Sequence, residues 1–358
     1  DMDILAPLSL LQFLNHVKGV QVMSPPVATI PQRAASNLCL SDVKGQAAAK
    51  RALEIAASGG HNVLMIGPPG SGKSMLAARL PTLMPALSPT EALELSMIHS
   101  LAGTLPEGGL ITERPFRDPH HSASLPSLIG GGTKAKPGEI SLAHLGVLFL
   151  DELPEFARST LESMRQPLES GQALVARVHS HVTFPARFQM VAAMNPCRCG
   201  YLDDPARACR KAPHCGSDYQ SKISGPLLDR FDLFITCGAL SYEELSAPDP
   251  DAETSAAIRA RVEASRAQQA ARYSNIEAHQ ALNGRVPYKL IEESGYLSPE
   301  AKELLDVTAP KMNLSARGLH RSLRVARTIA DLDPERPSAI LPNHLAEALS
   351  YRQRVTAL

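Results

Sequence analysis

The stretch that decides the fold is Gly67-Pro68-Pro69-Gly70-Ser71-Gly72-Lys73-Ser74. It follows an apolar run over 62–66 and precedes a helix-like segment from Met75, which is the context that a phosphate-binding loop requires. Its glycines let backbone N–H groups point inward at a helix N-terminus, Lys73 neutralises the β and γ phosphates, and Ser74 is placed to ligate Mg²⁺. The residues from Gly67 to Met75 therefore predict a site for ATP and Mg²⁺.

A second apolar run, 147–150, ends in two adjacent carboxylates, Asp151 and Glu152. We predict that Asp151 completes the Mg²⁺ site with Ser74. Glu152, one residue further on, is predicted to be the general base that polarises the attacking water. An apolar run followed by two acids often only leads a strand into a helix cap. Downstream of a phosphate loop, it indicates the hydrolytic half of the same site.

Helical stretches alternate with short apolar runs between residues 37 and 240. The runs are 62–66, 146–150, 188–193 and 233–236. Such alternation predicts a parallel sheet that lies between helices. From residue 247 the chain carries Ala, Leu, Arg and Glu at helical spacing without strand signals, which predicts a helical second domain.

Further residues complete a resemblance to AAA+ proteins. Asn195, after the run 188–193, stands where that family places a polar residue that aligns the water. Arg230 matches the arginine that reaches the γ-phosphate of a neighbouring subunit, and Arg317 matches the lid arginine that senses the same phosphate. The segment with Val43, Gly45 and Gln46 resembles the one that packs near the adenine. An arginine that acts across subunits implies a ring, by resemblance a hexamer, and a monomer that hydrolyses ATP poorly.

The predicted fold class is therefore α/β: a P-loop NTPase AAA+ core, with a parallel sheet flanked by helices, followed by an all-helical lid domain. We expect a linker over 1–36, which includes a short amphipathic helix within 1–20. The α/β core is expected over 37–240, with an irregular insertion rich in Gly, Pro and His over 105–140. The remaining segments are predicted to be a helical connector over 241–290 and the lid over 291–358.

Residues 37–358 closely resemble the magnesium-chelatase-like AAA+ proteins of the YifB/ComM type. The stretches that carry this resemblance are Arg114-Pro115-Phe116-Arg117, Pro119-His120-His121, Pro137-Gly138-Glu139-Ile140-Ser141-Leu142-Ala143-His144 and Asp151-Glu152-Leu153-Pro154-Glu155-Phe156. The resemblance implies a hexameric DNA motor that drives branch migration during recombination in natural transformation. It also implies an upstream Lon-protease-like domain, from which residues 1–35 would be the exit linker. The alternatives are the ATPase subunit of magnesium chelatase, which serves Mg²⁺ insertion into a porphyrin, and an AAA+ module that remodels proteins.

Four of the six cysteines, Cys197, Cys199, Cys209 and Cys215, fall within 19 residues. Four thiolates at this density can close a tetrahedral Zn²⁺ site, with His214 as a substitute for Cys215. The spacing lacks paired Cys-x-x-Cys units, so a loop of reduced, partly buried thiols remains the alternative. By resemblance, this cysteine insertion is a feature of the YifB/ComM type and not of chelatase ATPase subunits.

Net charge excludes a global electrostatic attraction to polyanions, because Lys and Arg total 36 and so do Asp and Glu. Any DNA site must then be a local basic patch. No apolar run approaches the ~20 residues that span a bilayer, so we expect no membrane association and a cytoplasmic location. Trp is absent, which argues against base stacking and favours salt-dependent binding to phosphates.

Two segments are candidates for DNA contact. Residues 173–184 alternate as in a β-hairpin with its turn near Ser180, and related AAA+ helicases project such a hairpin into the ring pore. One expected face carries Val175, Arg177, His179, His181 and Thr183, and the other carries Leu174, Ala176, Val178 and Val182. Arg177, His179 and His181 are the predicted phosphate contacts. An ordinary hairpin with a solvated polar face is the alternative.

The second candidate is the segment from Lys311 to Arg327, which has no acidic residue. Its cations recur at spacings of three and four, so most are predicted to share one helical face. They are Lys311, Arg317, Arg321, Arg324 and Arg327. A basic face that is merely solvated is the alternative to a DNA-binding face.

Overall fold

The computed structural model describes residues 5–24, 37–106, 109–131, 135–177, 180–202, 207, 209–212, 214–246, 252–276, 280–294 and 296–352. Residues 1–34 and 35–358 form two compact units. The described part of the first unit contains the helix α1 (Leu10–Val17), in which the side chain of Ser9 caps the N-terminus by accepting from the backbone N–H of Gln12 at 3.2 Å. The amphipathic helix expected within 1–20 is thereby confirmed.

The second unit contains the α/β core and the helical region. Its strands are β1 (Val63–Ile66), β2 (Phe116–Arg117), β3 (Gly130–Gly131), β4 (Lys136–Pro137), β5 (Val147–Leu150), β6 (Gln172–Arg177), β7 (Ser180–Pro185), β8 (Gln189–Met194) and β9 (Leu233–Thr236). Its helices are α2 (Ala47–Gly59), α3 (Lys73–Leu83), α4 (Pro89–Ala102), α5 (Leu125–Ile129), α6 (Glu139–Leu142), α7 (Arg158–Ser163), α8 (Arg165–Ser170), α9 (His214–Gln220), α10 (Gly225–Leu228), α11 (Tyr242–Ser246), α12 (Ser255–Arg272), α13 (Tyr288–Ser294), α14 (Pro299–Lys311), α15 (Ala316–Leu332) and α16 (Pro342–Ser350). Short 3₁₀ helices cover Leu40–Asp42 and Leu153–Glu155.

The main sheet has five parallel strands in the order β2-β5-β8-β1-β9. Strands β1, β5 and β8 are buried along their whole length, as expected for a parallel sheet that is covered by helices on both faces. The four apolar runs of the sequence are confirmed as β1, β5, β8 and β9. The segment 105–140, which we expected to be irregular, contains the edge strand β2, the helix α5, the strands β3 and β4 and the start of α6, so that expectation is wrong at these elements.

Successive residues of β1 enter different hydrophobic clusters, because side chains alternate across a sheet. Val63 and Met65 pack with the helices α2, α3, α12 and α15 in one cluster. Leu64 and Ile66 pack in the other cluster, with residues such as Ile140 and Phe156. The helical region therefore lies against one face of the sheet, on which α12 and α15 contact α2.

The parallel topology sorts the functional candidates between two edges of the sheet. The segments that follow β1, β5, β8 and β9 leave from the same carboxyl edge, where ligands bind in open parallel sheets. These segments begin at Gly67, Asp151, Asn195 and Cys237. Arg230 precedes β9, and since Val63 of β1 pairs with Leu233 of β9, it lies at the opposite, amino edge.

Candidate active site

The phosphate-loop stretch forms a tight turn between β1 and α3. Gly70 and Gly72 have φ of 78° and 84°, conformations that cost little only for glycine. At Gly67 the packing is close, since a Cβ atom there would clash with the carbonyl oxygen of Cys237. The helix α3 begins at Lys73, so its first backbone N–H groups face the loop. This geometry matches what an anion-binding helix N-terminus needs.

A cleft of about 340 Å³ opens above this loop. Its lining combines the loop with three residues from the neighbouring strand ends, and consists of Pro69, Gly70, Ser71, Gly72, Lys73, Ser74, Met75, Asp151, Glu152 and Asn195. Residues predicted from separate parts of the sequence therefore meet at one cleft. Gly67 and Pro68 lie behind it and contribute backbone carbonyls.

Lys73 is held inside the loop by oxygen atoms. Its Nζ donates to the carbonyls of Gly67 and Pro68, each at 2.8 Å, and to Asn195 Oδ1 at 3.3 Å. Burial lowers the pKa of Lys73, and the negative charge of Asp151 partly opposes this effect. A buried ammonium with neutral acceptors gains strongly from an anion, because charge-assisted hydrogen bonds are stronger than neutral ones. Phosphate oxygens are the ligand that fits.

Ser74 and Asp151 are joined across the cleft. Ser74 Oγ donates to Asp151 Oδ2 at 2.8 Å, while Asp151 Oδ1 accepts from the backbone N–H of Glu152 at 2.9 Å. A hydroxyl and a carboxylate beside a phosphate site are the oxygen ligands that Mg²⁺ prefers. The residues present therefore fit a Mg²⁺ ion bound together with the phosphates.

Glu152 adopts a left-handed backbone conformation with φ of 50°, which is unfavourable for a residue with a side chain. Its side chain is 52% exposed, and its Oε2 lies 3.3 Å from Nδ1 of His121. The ring of His121 also packs on that of His120, with centroids 4.1 Å apart. Our sequence-based site did not include His121. The signal was its position just after β2, because that strand ends at the same edge as β5.

Asp118 is a second neighbour that the sequence-based site omitted. Burial raises the pKa of Asp118, and the charge of Asp151 raises it further. Two carboxylates that influence each other in this way lie close together, so Asp118 belongs to the surroundings of the Mg²⁺ ligands.

The segment predicted to pack near the adenine does contact the phosphate loop. Gln46 Nε2 donates to the carbonyl of Ser71 at 3.1 Å and to that of Gly238 at 2.8 Å. Val43 is buried, and Gly45 has φ of 54° with a side-chain atom of Leu240 only 2.8 Å from where a Cβ would stand. Gln46 therefore ties the loop to the segment that follows β9.

Arg230 and Arg317 do not line the cleft of their own chain. Arg230 lies at the amino edge, where its Nη2 donates to Glu169 Oε1. Burial lowers the pKa of Arg230, and the charges of Arg321 and Arg317 lower it further, so these arginines lie near one another. Within one chain, the two predicted phosphate-sensing arginines share a side that is remote from Lys73.

Around Arg230 lies a second cleft of about 370 Å³. Its charged lining residues are Arg187, Arg230, Arg285, Arg321, Arg324, Glu169 and Asp232. Arg321 Nη1 donates to Asp232 Oδ1 at 2.5 Å, and although burial opposes it, this guanidinium holds the pKa of Asp232 well below its usual range. The cleft is positively charged and lies at the edge of the sheet opposite the phosphate loop.

The basic face predicted for 311–327 is not a solvated stripe. Arg324 donates to the carbonyls of Gly284 and Val286, at 3.1 and 2.7 Å, and Arg327 is buried against Asp331. With Arg321 bound to Asp232, only Lys311 and Arg317 of the predicted set are exposed. The prediction was wrong because spacing places residues on one helical face but does not say whether that face is buried.

The strands β6 and β7 form the predicted hairpin, in a different register. Leu174 pairs with Thr183 and Val175 with Val182, so each pair shares a face of the ladder. The predicted faces had combined Val175 with Thr183 and are therefore wrong, by the one-residue slip that exchanges faces. His181 is exposed. His179 and the side chain of Arg177 lie outside the described residues.

The cysteine insertion follows Asn195 at the carboxyl edge. The Sγ atoms of Cys197, Cys199 and Cys215 all lie within 4.8 Å of one another, and the thiol of Cys209 hydrogen-bonds to those of Cys199 and Cys215. All four are free thiols. His214 is exposed and is not part of this group within the described ranges. A Cβ on Gly200 would clash with Pro69, so the insertion packs directly on the phosphate loop.

No helix within the described ranges combines the length and the apolar character that a membrane crossing needs.

Comparison with known proteins gives matches along nearly the whole chain. A family model described as magnesium chelatase, subunit ChlI, matches residues 39–245, and one described as the C-terminal part of subunit ChlI matches residues 252–352. The chain is 45% identical over 353 residues to competence protein ComM of Haemophilus influenzae, which covers 98% of this chain and 67% of that protein. It is also 45% identical over 336 residues to the uncharacterized protein YifB of Escherichia coli, covering 94% and 64%.

A weaker match is to the magnesium-chelatase 38 kDa subunit of Rhodobacter capsulatus, at 28% identity over 173 residues, or 44% of this chain and 49% of that protein. The chain spans about two thirds of the length of the ComM and YifB relatives.

Proposed function

The chain belongs to the magnesium-chelatase-like family that includes ComM and YifB, and from this premise we propose that it is an ATP-hydrolysing AAA+ ring motor that translocates on DNA in the cytoplasm. The proposal rests on one observation: the residues that would bind and hydrolyse ATP lie at one edge of the sheet, and Arg230 lies at the other. The cleft at the carboxyl edge has the phosphate loop, the Mg²⁺ ligands and Glu152, but among the residues that the structure describes no arginine lines it. Arg230 stands at the opposite edge.

Each residue of the cleft has a role that follows from its position. The N–H groups of α3 and Lys73 bind the β and γ phosphates, and Ser74 with Asp151 holds the metal. When bound, Mg²⁺ neutralises charge on these phosphates. Glu152 accepts a proton from the attacking water, and Asn195, which lies between Lys73 and the strand ends, orients that water. The exposed position of Glu152 at the mouth of the cleft gives it access to water.

Arg230 completes this chemistry only if it comes from a neighbouring copy. An arginine at the transferring phosphoryl group is worth about 10³-fold or more in rate, so a chain without it in its own cleft is a slow ATPase. The separation of Arg230 and Arg317 from Lys73 supports a closed ring, in which each copy supplies its arginines to the ATP site of the next copy. The expectation of six subunits comes from the resemblance to AAA+ motors.

DNA is the proposed substrate on two grounds. The chain is similar to a protein named for competence. It also forms the β6–β7 hairpin ahead of Asn195, and by resemblance a hairpin at this position projects into the ring pore in related AAA+ helicases. Branch migration during recombination in natural transformation is the activity that this resemblance favours. The second candidate, an ATPase subunit that drives a metal chelatase, is favoured by the match to the magnesium-chelatase 38 kDa subunit. A protein-remodelling module is the third.

The test is ATP hydrolysis across a range of protein concentrations, with and without single-stranded and four-way-junction DNA, and with Glu152→Gln as the blank. The proposal expects turnover that rises cooperatively with protein concentration and is stimulated by DNA. Rings that hydrolyse ATP but ignore DNA at low salt would refute the DNA role. Stimulation by a chelatase partner or by an unfolded protein would then identify which alternative holds.

We also propose that Cys197, Cys199, Cys209 and Cys215 bind one Zn²⁺ ion. Tetrahedral Zn²⁺ with Zn–S bonds of about 2.3 Å sets its sulfurs about 3.8 Å apart. The Sγ atoms of Cys197, Cys199 and Cys215 lie within 4.8 Å of one another, with Cys197 and Cys199 at 3.1 Å, so a small adjustment would bring them to this spacing. The proposal expects one zinc per chain by elemental analysis, retained after dialysis and lost in the Cys199→Ser, Cys215→Ser double variant. Cys39→Ser, which changes a distant thiol, is the matched control.

A further inference from the structure

The carboxylate of Glu169 forms an ion pair with the guanidinium of Arg230. Arg230 Nη2 donates to Glu169 Oε1, while the Nε of the same guanidinium is buried without a hydrogen-bond partner in the described structure. The Arg230 side chain is only 8% exposed, whereas that of Glu169 is 59% exposed. The guanidinium is therefore fixed, and its carboxylate partner stands on the solvent side.

The surroundings of Arg230 favour an anion at this position. Arg187, Arg285, Arg321 and Arg324 line the same cleft, and the other carboxylate of the cleft, that of Asp232, is already bound by Arg321. Removing Glu169 would leave Arg230 in a field of like charge. A phosphate group is the natural replacement, because guanidinium binds carboxylate and phosphate with the same planar set of donors.

Glu169 also lies at the base of the hairpin. It belongs to the last turn of α8, which ends at Gly171 with φ of 68° and continues directly into β6. The carbonyl of Gly171 accepts from the N–H of Ala186 at 2.8 Å, and Ser170 Oγ accepts from the N–H of Gln172 at 3.2 Å. These bonds join the end of α8 to both strands of the hairpin.

The hairpin is long enough to act as a lever. Strand β6 has six residues, so at ~3.3 Å per residue its arm extends roughly 17 Å from Gln172. Val175 and Phe184 of the two strands pack in one small cluster with Ala135. Because β6 continues directly from the turn after α8, a displacement of the far end of the hairpin acts on the turn that carries Glu169.

We propose that Glu169 is a latch on Arg230. In a copy whose neighbour presents no ATP, Glu169 accepts from Nη2 of Arg230. When DNA displaces the hairpin, Glu169 swings into solvent and Arg230 binds the γ-phosphate of the neighbouring copy. Glu169 is a positioning residue that acts through Arg230, and this inference rests on the proposed ring motor. The latch explains how DNA bound in the pore would change ATP hydrolysis at the site of the neighbouring copy.

The first experiment does not require a ring. Lys73→Ala removes the phosphate ligand of the chain's own loop, and the binding of tripolyphosphate at low salt is then measured by calorimetry. We expect Glu169→Gln in this background to bind tripolyphosphate ~10-fold more tightly, since one competing charge-assisted hydrogen bond is removed. Adding Arg230→Ala should abolish the gain.

Glu162→Gln is the matched control, because Glu162 is a nearby half-buried acid that pairs with Arg165. Equal affinity of the Glu169→Gln and Glu162→Gln chains would overturn the latch.

The second experiment uses assembled rings. We expect Glu169→Gln to raise the DNA-free rate of ATP hydrolysis and to bring the ratio of DNA-stimulated to DNA-free rate towards one, while Glu169→Asp retains most of the stimulation. An unchanged ratio in rings whose turnover depends on Arg230 contradicts the latch. Turnover that does not depend on Arg230 refutes the proposed ring mechanism instead, and the tripolyphosphate affinities still decide whether Glu169 competes for Arg230.

Discussion

Ser74 Oγ lies 2.8 Å from Asp151 Oδ2, and this hydrogen bond joins the first turn of α3 to the end of β5. The two residues are separated by a long stretch of sequence and come from two different apolar-run motifs. Their contact places the phosphate loop and the hydrolytic carboxylates in one site. It also fixes where a metal bound to the terminal phosphates must sit.

Ser74→Ala should therefore separate metal use from nucleotide binding. The variant loses one Mg²⁺ ligand but keeps Lys73 and the backbone N–H groups that hold phosphates. We expect Mg²⁺-dependent hydrolysis to fall by at least about tenfold, since one ligand bond is removed, while ATP affinity in the presence of a chelator changes little. Fluorescent-nucleotide binding with and without Mg²⁺ measures both. Ser163→Ala is the control, and equal loss of binding in both conditions would contradict the assignment.

Glu152→Gln should block hydrolysis without weakening ATP binding. The amide keeps the size of the side chain but cannot take a proton from water, and a general base contributes about 10²–10⁴-fold. Lys73→Ala, in contrast, should abolish binding. Single-turnover hydrolysis and nucleotide affinity measure the two effects. The control is Glu155→Gln, which alters an acid that pairs with Lys222. Normal turnover in the Glu152→Gln ring would remove Glu152 as the base.

Two glycines of the phosphate loop should respond differently to alanine. A Cβ at Gly67 clashes with the backbone of Cys237, whereas at Gly70 it meets open space and only the positive φ is unfavourable. We expect Gly70→Ala to cost about 1 kcal/mol in the free energy of unfolding. Gly67→Ala should cost more and should also displace the Lys73 carbonyl ligands. Urea denaturation of both variants gives the order, and a larger cost at Gly70 would contradict it.

The sequence was sufficient to predict those strands whose residue pattern directly reflects their burial. The runs that became β1, β5, β8 and β9 are continuous and apolar because parallel strands are covered on both faces. Strand β2 could not be found in this way. It has two residues, Phe116 and Arg117, and it exists because they pair with Val147 and Leu148 of β5, which is a tertiary contact.

The candidate active site, like the fold, could be predicted only in part from the sequence. Motifs located Lys73, Ser74, Asp151, Glu152 and Asn195, since each belongs to a segment that follows a recognisable strand. The neighbours His121 and Asp118 follow β2 and were missed with it. The hairpin register was wrong because alternation alone does not define which residues pair, and the contact between Glu169 and Arg230 joins segments with no shared pattern.

Asp232→Asn should destabilise the junction between the sheet and α15. The buried Asp232 accepts from Arg321, and it also accepts from the backbone N–H of Asn62 at 3.0 Å. Removing one partner of a buried ion pair costs about 3–5 kcal/mol, because the other charge remains uncompensated. The pKa of Asp232 lies well below its usual range in the folded chain. Its contribution is therefore complete above the unfolded-state pKa and is lost as the pH falls through the lower, folded value.

Urea unfolding of the wild type and of Asp232→Asn should thus give a large difference at pH 8 and a smaller one in acid, once the pH falls below the unfolded-state pKa of Asp232. The Asp232→Asn, Arg321→Met double variant should recover part of the loss. A difference that grows in acid would contradict the ion pair as its cause.

Mixed rings provide the sharpest test that Arg230 serves a neighbouring site. A ring of Arg230→Ala subunits has intact clefts but no arginine to supply, and a ring of Glu152→Gln subunits supplies arginines to clefts that lack the base. Each should be nearly inactive alone. After mixing, some Arg230→Ala clefts face a Glu152→Gln neighbour that provides Arg230, so hydrolysis should reappear and be greatest near equal proportions. Mixing with Lys73→Ala subunits should restore activity in the same way, because they too retain Arg230. If Arg230 instead acted within its own chain, no mixture would exceed the sum of its parts.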